Sequence, residues 1–138
     1  MIPERKAEWL QDLRSGKFKQ GRKYLHSVDD QGNENFCCLG LISKRAFEAG
    51  ICTREKSIFG GGYTYVELDG SCSSETGLLP SIMEWLGLEV REDGKYPQTI
   101  EVISCSDVLP TTRRSVIYLN DDLKWDFSQI ADAVERTF

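Results

Sequence analysis

The sequence predicts an α+β fold: a small antiparallel sheet with helices packed on one side, in a single domain of 138 residues. Three observations point there. Apolar residues recur at helical spacing near both ends, at Ala7, Leu10 and Leu13 and again at Phe127, Ile130, Ala131 and Val134. Alternating or β-branched runs lie between them, as in Tyr63–Leu68 and Thr99–Ser104. The two kinds of segment do not alternate regularly, as a parallel βαβ sheet would require.

Taken in order, Glu4–Leu13 is the first expected helix, closed by Ser15 and Gly16. Gln20–Val28 reads as a strand, with Tyr24, His26 and Val28 on one face and Leu25 on the other. Asp29–Asn33 has hairpin-turn composition. Asn35–Ala49 starts extended at Phe36 and Cys37 and turns helical near Gly40, with Leu39, Ile42, Ala46 and Phe47 as its apolar positions. Thr53–Lys56 is polar, and Gly60-Gly61-Gly62 marks a loop tip. Tyr63–Leu68 alternates and predicts a strand, and Asp69-Gly70-Ser71 a turn. Pro80 opens a short helix over Ser81–Leu86, as proline prefers. Asp93-Gly94-Lys95 is a turn and Thr99–Ser104 a strand. Pro110–Tyr118 suits either a strand or a helix. Asp126 is the expected N-cap of the final helix.

Totals restrict the function classes. Hydrophobic residues make up 40% and charged residues 28%, ordinary for a globular domain that needs no metal or disulfide to fold. The formal net charge of -5 argues against a surface that tracks DNA, though a local basic pocket remains compatible with it. No apolar run approaches the ~20 residues of a membrane span. The five cysteines are odd in number, and Cys37 and Cys38 are adjacent, which disfavours a disulfide between them and points to a reducing compartment. With no CxxC pair and His26 as the single histidine, no metal ligand set is expected. The charged N-terminus lacks a signal-peptide pattern, and the expected location is cytoplasmic.

Several constellations can be read for chemistry. A nucleophilic Cys37 or Cys38, with His26 across the hairpin, would need a field that lowers a thiol pKa. The apolar flanks Phe36 and Leu39–Leu41 favour a buried structural pair instead. The three glycines at 60–62 do not have the spacing of a phosphate loop. Asn120-Asp121-Asp122 offers too few oxygen ligands for a cation and reads as turn or capping chemistry. The final helix resembles the first half of a helix-turn-helix, but no recognition helix follows it. Lys17, Lys19, Arg22 and Lys23, interleaved with Phe18 and Tyr24, form a basic cluster that reads either as a lysine-blocked strand edge or as a site for an anionic, ring-bearing ligand.

An ordered set of motifs runs nearly the whole length: Trp9…Leu13-Arg14-Ser15-Gly16-Lys17-Phe18-Lys19-Gln20-Gly21, Phe36-Cys37-Cys38-Leu39-Gly40, Trp85-Leu86-Gly87-Leu88, and Leu119-Asn120-Asp121…Phe127…Ile130-Ala131-Asp132. In these the chain resembles a family of small phage and prophage proteins with an FCCLG signature. The resemblance implies an accessory protein acting in a bacterial cytoplasm and carries over no catalytic residue. Relatives of that kind are shorter between the cysteines and the Trp-Leu-Gly-Leu run, so Phe59–Leu68 is expected to be particular to this chain.

Together these readings predict a non-enzymatic binding module, with no cofactor, that counters a host system by sequestering a nucleotide-derived signal. Arg22 and Lys23 would hold phosphates, Gln20 or Asn120 would read a base edge, and Tyr24 or Tyr63 would stack. The alternatives are an inhibitor or adaptor bound to a host protein and, third, a thiol enzyme. A homo-oligomer is compatible with the first reading, because small sequestering proteins often build pockets between protomers.

Overall fold

The computed structural model describes residues 1–58, 61–89, 99–104 and 112–138. The expected turn at Asp93–Lys95, the cysteine Cys105, and Phe59 and Gly60 lie outside them. The described residues form an α+β fold of five helices and eight short strands in three small sheets.

Helix α1 (Pro3–Arg14) buries Trp9 and Leu13 and leads to a two-residue strand, β1 (Lys19–Gln20). Strands β2 (His26–Val28) and β3 (Glu34–Phe36) make the hairpin expected around Asp29–Asn33, and β1 adds in parallel to β3. The Asp29 carboxylate accepts from the backbone N–H groups of Gln31 and Asn33, fixing the turn. Helix α2 (Cys38–Glu48) follows at once, then β4 (Cys52–Lys56), β5 (Tyr63–Glu67) and β6 (Ser73–Ser74), which form the second sheet in that order. Helix α3 (Pro80–Trp85) precedes the third sheet, the antiparallel pair β7 (Glu101–Ser104) and β8 (Thr112–Ser115). Helices α4 (Val116–Asp121) and α5 (Phe127–Thr137) complete the fold, with α5 packed on α1 and β7.

Four local readings change. The strand expected over Gln20–Val28 is broken into β1 and β2, because Lys23 takes a left-handed backbone conformation, φ +72°, that no strand can hold. The turn also reverses the expected faces: Leu25 and His26 are both buried, whereas Tyr24 is exposed. The strand-to-helix switch comes at Cys37, which has extended backbone, rather than at Gly40. The polar stretch Thr53–Lys56 belongs to a strand, held by five register pairs with β5. Of Pro110–Tyr118, open to either reading, Pro110 and Thr111 lie outside the described residues and the rest changes state: strand over Thr112–Ser115, then helix from Val116, with the Ser115 hydroxyl accepting from Ile117 N. Asp126 caps α5 as expected, and Gln129 completes a reciprocal capping box.

The FCCLG segment has a packing role. Phe36 ends β3 against His26, Cys37 is the N-cap of α2, and Cys38 and Leu39 enter the core. The Trp9 indole N–H donates to the carbonyl of Cys38 at 2.9 Å, tying α1 to the start of α2. At Gly40 the two backbones come so close that a Cβ would sit 1.7 Å from the carbonyl oxygen of Leu25, so only glycine fits. Leu25 is a hinge point in the literal packing sense: its carbonyl meets Cys37 N and Gly40, while its N–H donates to the carbonyl of Glu75 at 2.7 Å.

Candidate functional site

The site is built from the bottom of the first hairpin and the facing edge of the second sheet. His26 is 1% exposed, yet both ring nitrogens have partners: Nε2 lies 2.9 Å from Glu34 Oε1 and Nδ1 3.2 Å from the Tyr65 hydroxyl. Its ring packs on Phe36 at 4.2 Å and on Tyr63 at 4.6 Å between centroids. The guanidinium of Arg54 extends the series, 4.5 Å from the Tyr63 ring centre and 4.3 Å from that of Phe47. Strand β4 places Arg54 there because it is paired with Tyr65, one residue along from Thr64 and two from Tyr63. Burial lowers the His26 pKa below its ordinary value, against the opposing pull of Glu34, and burial pushes the Tyr65 hydroxyl up to about 12. Histidine and tyrosine are therefore neutral, hydrogen-bonded supports at neutral pH.

Above this stack lies a half-open cavity of about 330 Å³, lined by Tyr24, His26, Ser27, Ser57, Gly62, Tyr63 and Glu75. It continues into a smaller recess of about 230 Å³ that reaches Val28, Lys56 and Gly61. Gly62 is required where the wall meets β2, since a Cβ there would lie 2.4 Å from the carbonyl oxygen of His26. Gly61 and Gly62 thus pack against the hairpin, at Val28 and His26, while Gly60 of the expected loop tip lies outside the described residues. Glu75 provides the carboxylate of the site. The hydroxyls of Ser57 and Thr64 both donate to its Oε1, and these bonds hold its pKa below the ordinary glutamate value.

The sequence-predicted residues separate into two groups. Tyr24 and Tyr63 both line the cavity. Tyr24 is the more open ring, 38% exposed, with Lys23 Nζ 5.4 Å from its centre; Tyr63 is engaged by His26 and Arg54. Arg22 and Lys23 are exposed on the turn that leads into Tyr24. Gln20 and Asn120 are not brought to the cavity. Gln20 Nε2 donates to Asn120 Oδ1 at 2.7 Å and to the Trp125 carbonyl at 2.8 Å. Asn120, 0% exposed, donates in turn to the Gly21 carbonyl at 3.0 Å and to Asp121 Oδ1 at 2.7 Å. Asp121 Oδ1 also accepts from Lys23 N at 3.0 Å, so this network fixes the basic turn from behind. Asn120 and Asp121 belong to the last turn of α4, and Asn120 is a core residue rather than part of a loop.

Ser57, Thr64 and Glu75 were not marked by the sequence. Thr64 and Glu75 are eleven positions apart and meet only because β5 and β6 pair. Cys37 and Cys38 are buried behind the hairpin. Burial pushes the Cys37 thiol up to about 11 and holds that of Cys38 well above its ordinary value, so neither is a thiolate at neutral pH. A wider concavity of about 400 Å³ is lined, among the described residues, by Met83, Glu89, Thr99, Ile100 and Phe138. Among the described residues no group of three or more His, Cys, Asp or Glu side chains could hold a metal ion, and no helix is long and apolar enough to cross a membrane.

No curated protein and no solved structure matches the chain. One family does, over residues 1–138, and its description is a domain of unknown function. With the fit running from the first residue to the last, the chain belongs to the family DUF8296.

Proposed function

We propose that this protein is a non-enzymatic binding module for an anionic, nucleotide-like small molecule, and that it serves a phage or prophage in a bacterial cytoplasm by sequestering a nucleotide-derived signal. One observation carries the reading: an aromatic-walled cavity opens beside a basic turn. Its volume of about 330 Å³ is at the lower end of small-molecule sites, the size of a base with part of its sugar. A base stacks on Tyr24 within the cavity. Phosphates extend toward Arg22 and Lys23 on one side and toward Lys56 in the adjoining recess. The groups beneath the cavity support binding rather than turnover, since His26 is neutral and has both nitrogens occupied, and the nearby cysteines are protonated. The phage assignment is supported by the resemblance carried by the FCCLG, Trp-Leu-Gly-Leu and Leu-Asn-Asp motifs.

Native mass spectrometry against a panel of linear and cyclic nucleotides tests the reading and reports the oligomeric state in the same spectrum. The expected result is a stoichiometric, non-covalent mass shift. The double variant Arg22→Glu, Lys23→Glu removes two charge-assisted contacts of about 1.5–3 kcal/mol each, so binding weakens at least about tenfold while melting stays near wild type. A bare protein across the whole panel, or binding indifferent to the charge reversal, overturns the assignment.

A second reading has its own observation. Ile58 is 88% exposed and Leu68 65% exposed, at opposite ends of the β4–β5 pair, which suits an inhibitor or adaptor that docks this sheet on a host protein. It predicts a stable complex in pull-down and no mass shift with nucleotides.

A further inference from the structure

We propose that Glu75 makes the cavity selective for ligands whose ring carries an exocyclic amino donor, and so for cytosine-, adenine- or guanine-type bases over uracil- or hypoxanthine-type ones. This rests on the reading that a base enters the cavity, and goes beyond it by naming which bases.

The argument starts from lone pairs. An ionised carboxylate only accepts hydrogen bonds, with about two sites on each oxygen. The hydroxyls of Ser57 and Thr64 both donate to Oε1, which fills that oxygen. Oε2 accepts none of the hydrogen bonds found among the described residues. The side chain is also held from its backbone, because the Glu75 carbonyl accepts from Leu25 N at 2.7 Å. Glu75, with one saturated oxygen and one that takes no hydrogen bond among the described residues, thus lines an aromatic-walled space, as well as a more open concavity beyond Thr64. A ligand that fills the space must displace water from Oε2 and supply a donor, or leave the carboxylate unpaired at a cost.

Base edges divide along that line. Cytosine and adenine present amino donors where thymine and uracil present a carbonyl acceptor, and guanine adds an amino group that hypoxanthine lacks. Where uracil presents a carbonyl in place of the cytosine amino group, lone pairs face lone pairs; hypoxanthine keeps its ring N–H and loses only the second donor that the guanine amino group supplies, so the carboxylate gains one hydrogen bond fewer. Sites built to pair a polar group discriminate strongly against analogues without it. Among the described residues no other charged side chain lines this cavity, so the sign of the preference is set by Glu75.

The test compares matched pairs by isothermal titration: cytidine monophosphate with uridine monophosphate, and guanosine monophosphate with inosine monophosphate. Within each pair the sugar and phosphate are identical, so stacking and charge contributions cancel to first order. The amino-bearing member should bind about tenfold or more tightly. In Glu75→Gln the amide oxygen still accepts from Ser57 and Thr64, and the amide nitrogen becomes a donor. The preference within each pair should then collapse or invert, with the stronger binder of the pair changed by less than the ratio itself. Equal binding within both pairs, or a ratio unmoved in Glu75→Gln, overturns the selectivity while leaving the binding module intact. Absence of binding by all four, with none in the wider nucleotide panel, removes both. Glu75→Ala is the control for folding: it removes donor and acceptor together and should flatten both ratios to near one without inverting them.

Discussion

The Asn120 region and the Glu75 region are both polar and both sit against the first hairpin, but they differ in how far their hydrogen bonding is closed. Asn120 is sealed in the core, with its oxygen and nitrogen committed to Gln20, Gly21 and Asp121. Glu75 is half-buried, with one oxygen filled and the other taking no hydrogen bond among the described residues. A closed network contributes to stability and specifies one arrangement; an open acceptor contributes little to stability and leaves capacity for a ligand. In this molecule polar residue type alone does not distinguish a support from a site. What distinguishes them is whether every lone pair and every proton is already used.

Four perturbations probe the comparison. The largest is Gly40→Ala. Leu25 ties the start of α2 to the Glu75 region, its carbonyl against Gly40 and its N–H on the Glu75 carbonyl, so a Cβ placed 1.7 Å from the Leu25 carbonyl must displace the backbone that holds Glu75. We expect a loss of about 3 kcal/mol or more in urea unfolding, with the cavity lost as well. A variant that unfolds at the wild-type midpoint would show that this close approach does not constrain the fold.

Next is Asn120→Ala, which removes one of the two acceptors of the Gln20 amide and the Asn120 donor of the Gly21 carbonyl. The expected cost is about 2–3 kcal/mol by chemical denaturation, with nucleotide binding by the folded fraction within a few-fold of wild type. Glu75→Gln should do the reverse, changing ligand preference with little effect on the midpoint. If Asn120→Ala changed ligand preference as strongly, the division between support and site would fall.

The smallest effect is in pH. His26 has a folded-state pKa below its ordinary 6.5, mainly because burial penalises the charged ring. The unfolded chain therefore takes up this proton first as pH falls, and folding stability is lost below about pH 6.5 and down through the folded pKa. Above pH 6.5 this group contributes no pH dependence. Melting temperatures from pH 8 to pH 5 should be flat and then decline. In His26→Gln the decline from this source should be absent, although the variant itself is less stable. A wild-type melting temperature that rises through the same interval would overturn the neutral, buried assignment.

Much of the fold was legible where periodicity and punctuation agree. Helix α5 shows both, with Asp126 ahead of a stripe of Phe127, Ile130, Ala131 and Val134, and the Asp29–Asn33 turn reads directly from its composition. Strand β4 was not legible, because its side chains are polar and Arg54 is placed for its aromatic contacts rather than by alternation. The break at Lys23 was hidden for another reason: Asp121, which holds its N–H, lies 98 positions away. For the site, type and neighbourhood marked Tyr24 and Tyr63, which do line the cavity, and also Gln20 and Asn120, which satisfy each other across 100 positions. Glu75 carried no local signal, since only strand pairing brings Thr64 to it.

The stack of Phe36, His26 and Tyr63 has a spectroscopic consequence. An imidazole packed between neighbouring aromatic rings, with centroids 4.2 and 4.6 Å away, experiences their ring currents, and its carbon-bound protons should resonate well upfield of a free histidine. Because the chain contains one histidine, no second imidazole competes for their assignment. The molecule thus carries an intrinsic magnetic reporter in the wall of its own cavity. A ring that enters beside Tyr63 adds its field to the same protons, and occupancy can be followed without a label.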